Sequence, residues 1–207
     1  MKKVILGLLV IALAMSLNAQ EKGKIRVGFD GGLAFPNAGI GIGGGLDVRY
    51  NIQDNINAGV ILGGVGLIKD VSVNSIANTM TATASAINNY LITSDYYFNN
   101  DKSSFAPFLG GGIGISSIQN IQMTVANGGS TSIAGSTSFL KENRFGALLR
   151  GGFEAGHFRM TAEYHLIGNS NVVDINKTII GTTGNSYFCL NIGFYIGGGY
   201  WRKILKN

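Results

Sequence analysis

Residues 158–167, Phe-Arg-Met-Thr-Ala-Glu-Tyr-His-Leu-Ile, alternate without a break between apolar and polar side chains. An extended strand sends successive side chains to opposite faces. Phe158, Met160, Ala162, Tyr164 and Leu166 therefore share one face, and Arg159, Thr161, Glu163 and His165 share the other. A helix would mix the two sets. The segment must divide an apolar medium from a polar one, and its polar side carries charges of both signs.

Eight segments read as strands: 24–33, 45–51, 56–64, 87–98, 105–115, 144–154, 158–167 and 187–197. Their connections alternate in length. Those at 51–55, 99–104 and 155–157 are short and turn-like, whereas 34–44, 65–86, 116–143 and 168–186 are long and rich in Ser, Thr, Asn and Gly. The polar faces agree from strand to strand. Arg26, Gly28 and Asp30 oppose Val27 and Phe29, and Asp47 and Arg49 oppose Leu46, Val48 and Tyr50. Thr93 and Asp95 oppose Ile92, Tyr96 and Phe98, while Arg150 and Glu154 oppose Phe145, Leu149 and Phe153. Asn191 and Gly193 oppose Phe188, Leu190, Ile192, Phe194 and Ile196.

The start of the chain sets the compartment. Met1-Lys2-Lys3 precedes an uncharged apolar run over 4–17, and small Ala19 stands before Gln20-Glu21-Lys22. This is the pattern of a secretory signal peptide, here 1–19, leaving a mature domain of 20–207. The run is short for a spanning helix, which needs about 20 apolar residues. Beyond it the longest apolar or glycine runs, 58–68 and 105–115, have the length of a membrane-crossing strand. No cysteine follows the cleavage point as a lipoprotein would require, and Cys189 has no second cysteine to pair with.

Export, alternating strands and alternating loop lengths together specify an all-β fold, an eight-stranded antiparallel up-and-down transmembrane β-barrel in the outer membrane. Ten strands would result if a hairpin over 121–140 joined the wall. The inward charges form a lumen network of Arg26, Asp30, Asp47, Arg49, Asp95, Arg150, Glu154, Arg159, Glu163 and His165. Its cations are arginines, while mature lysines fall in loops, turns and tails, apart from Lys24 at a strand edge. A guanidinium fork pairs two ways with carboxylates and stays charged in a closed site. Inward glycines such as Gly28, Gly59, Gly110 and Gly193 leave room for these long side chains, and an eight-stranded barrel is just wide enough to be filled by them. Tyr50, Tyr97, Phe98, Phe105, Phe153, Phe158, Phe194, Tyr195 and Trp201 cluster at the short-turn end, the position of an interfacial girdle.

Asp95-Tyr-Tyr-Phe98, Pro107-Phe-Leu-Gly-Gly-Gly-Ile-Gly114, Ala162-Glu-Tyr164 and Asn191-Ile-Gly-Phe-Tyr-Ile-Gly-Gly-Gly199 follow one another over the mature chain. In this order they resemble the porin-family outer-membrane β-barrel domain of Gram-negative bacteria, related to the OmpX and OmpA barrels. The resemblance implies fold and location, and the family shares no activity. Its last strand commonly ends in an aromatic, whereas this chain continues through 202–207.

Other chemistry finds little footing. Taking Lys2 and Lys3 from 16 basic residues leaves 14 against 11 acidic, a charge of +3 without any basic run, which does not suit nucleic acid. Gly39-x-Gly41-x-x-Gly44 has dinucleotide-binding spacing, but a strand follows it where a helix is required. Glu163, His165 and Ser170 suggest an outer-membrane lipid A hydrolase, yet His and Ser stand five apart rather than two, and no Gly-x-Ser-x-Gly elbow exists. Two histidines and one cysteine give no metal-ligand spacing, so no cofactor is expected. The expected function is non-enzymatic: a monomeric barrel serving envelope integrity or surface interaction, with a narrow small-solute channel as the alternative.

The expected partners are membrane lipid, lipopolysaccharide phosphates near Lys69, Lys141, Arg144 and Lys177, and a protein at the extracellular loops. Asn127-Gly128-Gly129 lies between Ile121–Val125 and Thr131–Leu140, and Val172–Ile175 faces Lys177–Ile180. Both pairs have hairpin character, so strands are expected to run past the membrane, with edges open to strand addition.

Overall fold

The computed structural model describes residues 22–37, 39–74, 79–98, 105–126, 131–132, 141–173 and 179–198. The signal segment, Trp201 and Lys177 lie outside them. Eleven strands are formed: β1 (Ile25–Pro36), β2 (Gly39–Gln53), β3 (Ile56–Asn74), β4 (Thr79–Tyr97), β5 (Phe105–Ala126), β6 (Thr131–Ser132), β7 (Glu142–Ala155), β8 (Phe158–Ile167), β9 (Ser170–Val173), β10 (Ile179–Thr183) and β11 (Tyr187–Gly197).

Eight of them close on themselves. β1, β2, β3, β4, β5, β7, β8 and β11 pair antiparallel in that order, and β11 returns to β1. Closure removes every edge, so all backbone groups in the wall can be satisfied inside a medium without water. β6 pairs only with Thr124 and Val125 of β5, and β9 and β10 form their own two-stranded sheet. β6 therefore adds no wall strand, and with eight strands closing the wall the ten-strand alternative is excluded.

Crossing from partner to partner around the wall from Arg26 leads through Arg49, Gly59, Thr93, Gly112, Leu148, His165 and Tyr187 to Pro36. The path re-enters β1 ten residues further on. A shear of about ten over eight strands tilts them by about 40° and leaves an interior that side chains can fill.

The strands outrun their predicted ends on the long-loop side. The 34–44 segment, expected as a loop, is almost wholly strand: β1 and β2 continue to a connection at 37–38. The glycines misled the reading. In Gly39-Ile-Gly-Ile-Gly they alternate with Ile40 and Ile42, which point outward, while Gly41 and Gly43 turn inward. Gly39 has φ +125°, and an added Cβ would stand 1.8 Å from the carbonyl oxygen of Ile68, so a side chain is barred there. The 65–86 and 116–143 connections are likewise shortened, since β3, β4 and β5 run to 19, 19 and 22 residues. That is about twice the 9–11 residues a crossing needs. These strands carry the wall well past the membrane; that was expected for the 121–125 end of β5, whereas the outer parts of β3 and β4 replace an expected loop.

Outside, the wall is apolar. Ile42, Ile92, Leu109, Ile113, Leu149 and Ile192 are more than half exposed, in a band no aqueous surface would hold. Its short-turn margin carries Tyr50, Phe98, Phe105, Phe153, Phe158 and Phe194, with Phe105 and Phe153 in ring contact at 5.1 Å. Two expected members of this girdle are not in it. Tyr97 and Tyr195 are 1% and 4% exposed and point inward, because Tyr97 shares the parity of Asp95, and Tyr195 that of Asn191.

Candidate functional site: the filled lumen

The inward faces meet in a belt of charge at the short-turn end. Arg26 donates both terminal nitrogens to Glu154, at 2.8 and 2.5 Å, and Nη2 also donates to the Tyr97 hydroxyl at 2.8 Å. Tyr97 donates in turn to Glu154 at 2.6 Å. Asp95 lies at the centre, accepting from Arg49, from Arg150 Nε at 2.8 Å and from Arg159 Nη2 at 2.8 Å. Asp47 accepts from two nitrogens of Arg49 and from the Tyr195 hydroxyl at 2.7 Å, and Arg159 Nη1 donates to that same hydroxyl at 2.8 Å. The two tyrosines thus join this lumen network, where sequence reasoning had assigned them to the membrane surface.

Rings and glycines make the belt fit. The Arg26 guanidinium lies 4.6 Å from the Tyr195 ring centre, and that of Arg159 lies 3.9 Å from the Phe108 ring centre. Each ring face offers a charged group a partner that occupies no hydrogen-bond site. At Gly28 an added Cβ would fall 2.3 Å from the Tyr195 ring, and at Gly110 it would fall 2.0 Å from an Asp95 oxygen.

Glu163, His165 and Asp30 stand at the upper margin of the belt. Glu163 receives Asn191 Nδ2 at 3.1 Å and lies 3.3 Å from His165 Nε2, with Arg150 Nη1 more distant at 3.8 Å. His165 stacks on Tyr187 with ring centres 4.5 Å apart. Asp30 departs from the expected pairing: it makes no hydrogen bond or ion pair among the described residues, and faces a small cavity instead.

Above the belt the lumen changes character, a feature the sequence reading missed. Ile61, Leu91 and Leu148 pack together, and Val65, Leu67, Ile87, Ile118, Ile167 and Cys189 form a larger apolar layer beyond. A polar seal closes the outer mouth. Lys69 donates to the Gly184 carbonyl at 2.9 Å and to Asn185 Oδ1 at 3.1 Å, and Asn185 Nδ2 donates to the Gly168 carbonyl at 2.7 Å. Lys69, expected in a loop facing lipopolysaccharide, is a strand residue of 2% exposure, since its inward parity continues that of Val65 and Leu67. Lys141 remains exposed, and Arg144 is partly exposed and paired with Glu142 at 2.8 Å.

Glu163, His165 and Ser170 do not come together as a catalytic set. The Ser170 hydroxyl is taken up by the amides of Asn120 at 2.9 Å and Asn185 at 2.9 Å, and His165 makes no contact with it. Among the described residues no three His, Cys, Asp or Glu side chains converge as a metal centre would require.

A closed antiparallel wall, apolar outside, ringed with aromatics and filled with paired charges, decides the class of the molecule. It is a small eight-stranded outer-membrane β-barrel. No helix among the described residues is long and apolar enough to cross a membrane, and the crossings of such a barrel are strands. Neither a family model nor a curated protein matches the chain. Solved barrels are similar to it at low identity. Neisserial surface protein A aligns at 16% identity over 84% of this chain and 99% of its own, with a TM-score of 0.48. The N-terminal β-barrel domain of Pseudomonas aeruginosa OprF aligns at 14% over 86% and 100%, with a TM-score of 0.40. Ail, the attachment invasion locus protein of Yersinia pestis, aligns at 13% over 85% and 100%, with a TM-score of 0.37. Likeness at this level concerns the fold alone.

Proposed function

We propose that this barrel is a non-enzymatic, monomeric component of the outer membrane, exported by residues 1–19, that contributes to envelope integrity or surface interaction through its extracellular end. One observation carries the reading. The lumen is filled by charge, then by apolar side chains, then by the Lys69–Asn185 seal, while β3, β4 and β5 extend far beyond the membrane. A filled interior supports a scaffold over a channel, and chain length invested outside supports a role for the outer surface. The short β6 and the β9–β10 hairpin add backbone edges to that surface, which suit a partner binding by strand addition. Lys141, exposed, and Arg144, partly exposed, are the cations this reading offers to lipopolysaccharide phosphates.

Two measurements test this. Purified barrel in planar bilayers is expected to give no steady ion conductance. Cells in which 171–182 is replaced by a short Gly-Ser turn are expected to keep the folded barrel while losing surface binding or detergent resistance. A stable open-state conductance would move the channel reading ahead, and an unchanged envelope and surface phenotype would remove the role assigned to the hairpin.

A further inference from the structure

Gly31, Gly44 and Gly64 lie directly opposite one another across β1, β2 and β3, on the lipid-facing side of the wall. Without side chains they leave a trough about 10 Å long, two strand spacings. Phe29, Leu46 and Leu62 form its lower margin, and Leu33 and Ile42 its upper one. The same row then turns polar: Gly64 opposes Asn88, Asn88 opposes Ser117, and Ser117 opposes Asn143. Because the strands tilt, the row climbs towards the long-loop end. Gly31 is six residues above Ile25 at the foot of β1, Asn88 nine above Tyr97 on β4, and Asn143 twelve above Ala155 on β7. These steps are about 15, 23 and 30 Å of height, against an apolar band about 25 Å tall. The row therefore descends from headgroup level into the acyl region, the path of a single lipid.

The head of the row carries an unmet polar group. Ser117 has outward parity yet is 2% exposed, and its hydroxyl has no hydrogen-bond partner. A buried hydroxyl ordinarily has one. Exposed amides flank it on both sides, and Asn88 Oδ1 leans over the trough, 3.2 Å from where a Gly64 Cβ would stand. Lys141, exposed, lies two residues beyond Asn143, and the acid between them, Glu142, is taken by Arg144 at 2.8 Å. The polar row is local to this side of the wall. At the height of Asn88, β1 and β11 turn Phe35 and Phe188 outward, ten and nine residues above their own ends. We propose that the slot holds one lipopolysaccharide molecule, with an acyl chain in the glycine trough, its linkage at Asn88, Ser117 and Asn143, and a phosphate at Lys141. Amides and a hydroxyl both donate and accept, which suits the amide-linked hydroxyacyl chains of lipid A. The ester linkages of a phospholipid only accept. This assignment rests on the outer-membrane reading given above.

The test titrates the folded barrel in micelles with lipid A, and separately with phosphatidylethanolamine, and counts bound lipid by native mass spectrometry. One lipid A is expected to be retained, more tightly than phosphatidylethanolamine. Gly31→Leu fills the trough, and its Cβ would meet only the Gly43 carbonyl oxygen, at 3.5 Å, an ordinary contact that leaves the wall undisturbed. Displacing about two methylenes of the acyl chain weakens lipid A about tenfold. Asn88→Leu, at the head of the slot, is expected to weaken it as well. Ala162→Leu adds similar bulk to the outer face of β8 and is expected to change nothing. Gel mobility before boiling shows that each variant is folded. A barrel that does not insert into vesicles would remove the membrane reading and the slot together. An inserted barrel that binds lipid A no better than phosphatidylethanolamine, or equally well after Gly31→Leu, would overturn the slot alone.

Discussion

Asp95 is the residue on which the interior turns. Three arginines from three strands donate to it, and it is 2% exposed. Removing one member of a buried ion pair strands the others without compensation, at a cost of about 3–5 kcal/mol. Asp95→Asn and Arg150→Leu are each expected to lower urea stability by that order, whereas Asp30→Asn, which breaks no ion pair, is expected to change it little. Equal effects for Asp95→Asn and Asp30→Asn would show that the pairing does not govern stability. His165 is held by Glu163 and by stacking on Tyr187, and both contacts are structural. His165→Asn is therefore expected to leave assembly intact and the acylation of lipid A unchanged, as mass spectrometry of extracted lipid A would register. An acyl chain removed by the native protein and retained with the variant would restore the hydrolase.

At the scale of the strand, the decisive property is which face meets lipid. An arginine at the middle of the bilayer costs about 2–4 kcal/mol on a barrel's outer face, falling to about 0–1 kcal/mol near the interface. Ile92→Arg and Ile113→Arg, on outward and highly exposed positions, are expected to pay the larger cost, and Ile52→Arg, close to the short turn, the smaller one. Refolding into vesicles followed by denaturant titration measures both. Six of the eight wall strands were legible from period-two alternation, because the lipid-facing and lumen-facing side chains differ so sharply between 87 and 98 or between 158 and 167, and 56–64 and 105–115 from apolar or glycine runs of membrane-crossing length. Their outer ends were not. There odd and even positions alike are mostly small or polar in the sequence, as in Thr79-Met-Thr-Ala-Thr-Ala-Ser85, and the contrast that reveals the period is lost. The apolar lumen layer escaped for the opposite reason: Val65 and Leu67 face inward while Ile68 faces outward, so both sides read as hydrophobic. Tyr97 and Tyr195 were misplaced because position near a strand end was weighed above parity, and parity places the ring.

The whole molecule combines a wall without edges and a lumen that, among the described residues, is filled by paired charges and apolar side chains. The paired charges of the belt come from β1, β2, β4, β7 and β8, so they form only when the ring is nearly complete, which couples closure to the burial of charge. Such a barrel is expected to unfold as one unit and to migrate faster on gels before boiling than after. The most direct measurement is a spin-label scan along β8, one label at a time over 158–167 with Cys189 replaced by alanine, in lipid vesicles. Labels at 158, 160, 162, 164 and 166 are predicted to collide freely with oxygen dissolved in the bilayer, while those at 159, 161, 163 and 165 collide with neither oxygen nor a water-soluble relaxation agent. Even-numbered labels reached by the water-soluble agent instead would contradict the outer-membrane barrel outright.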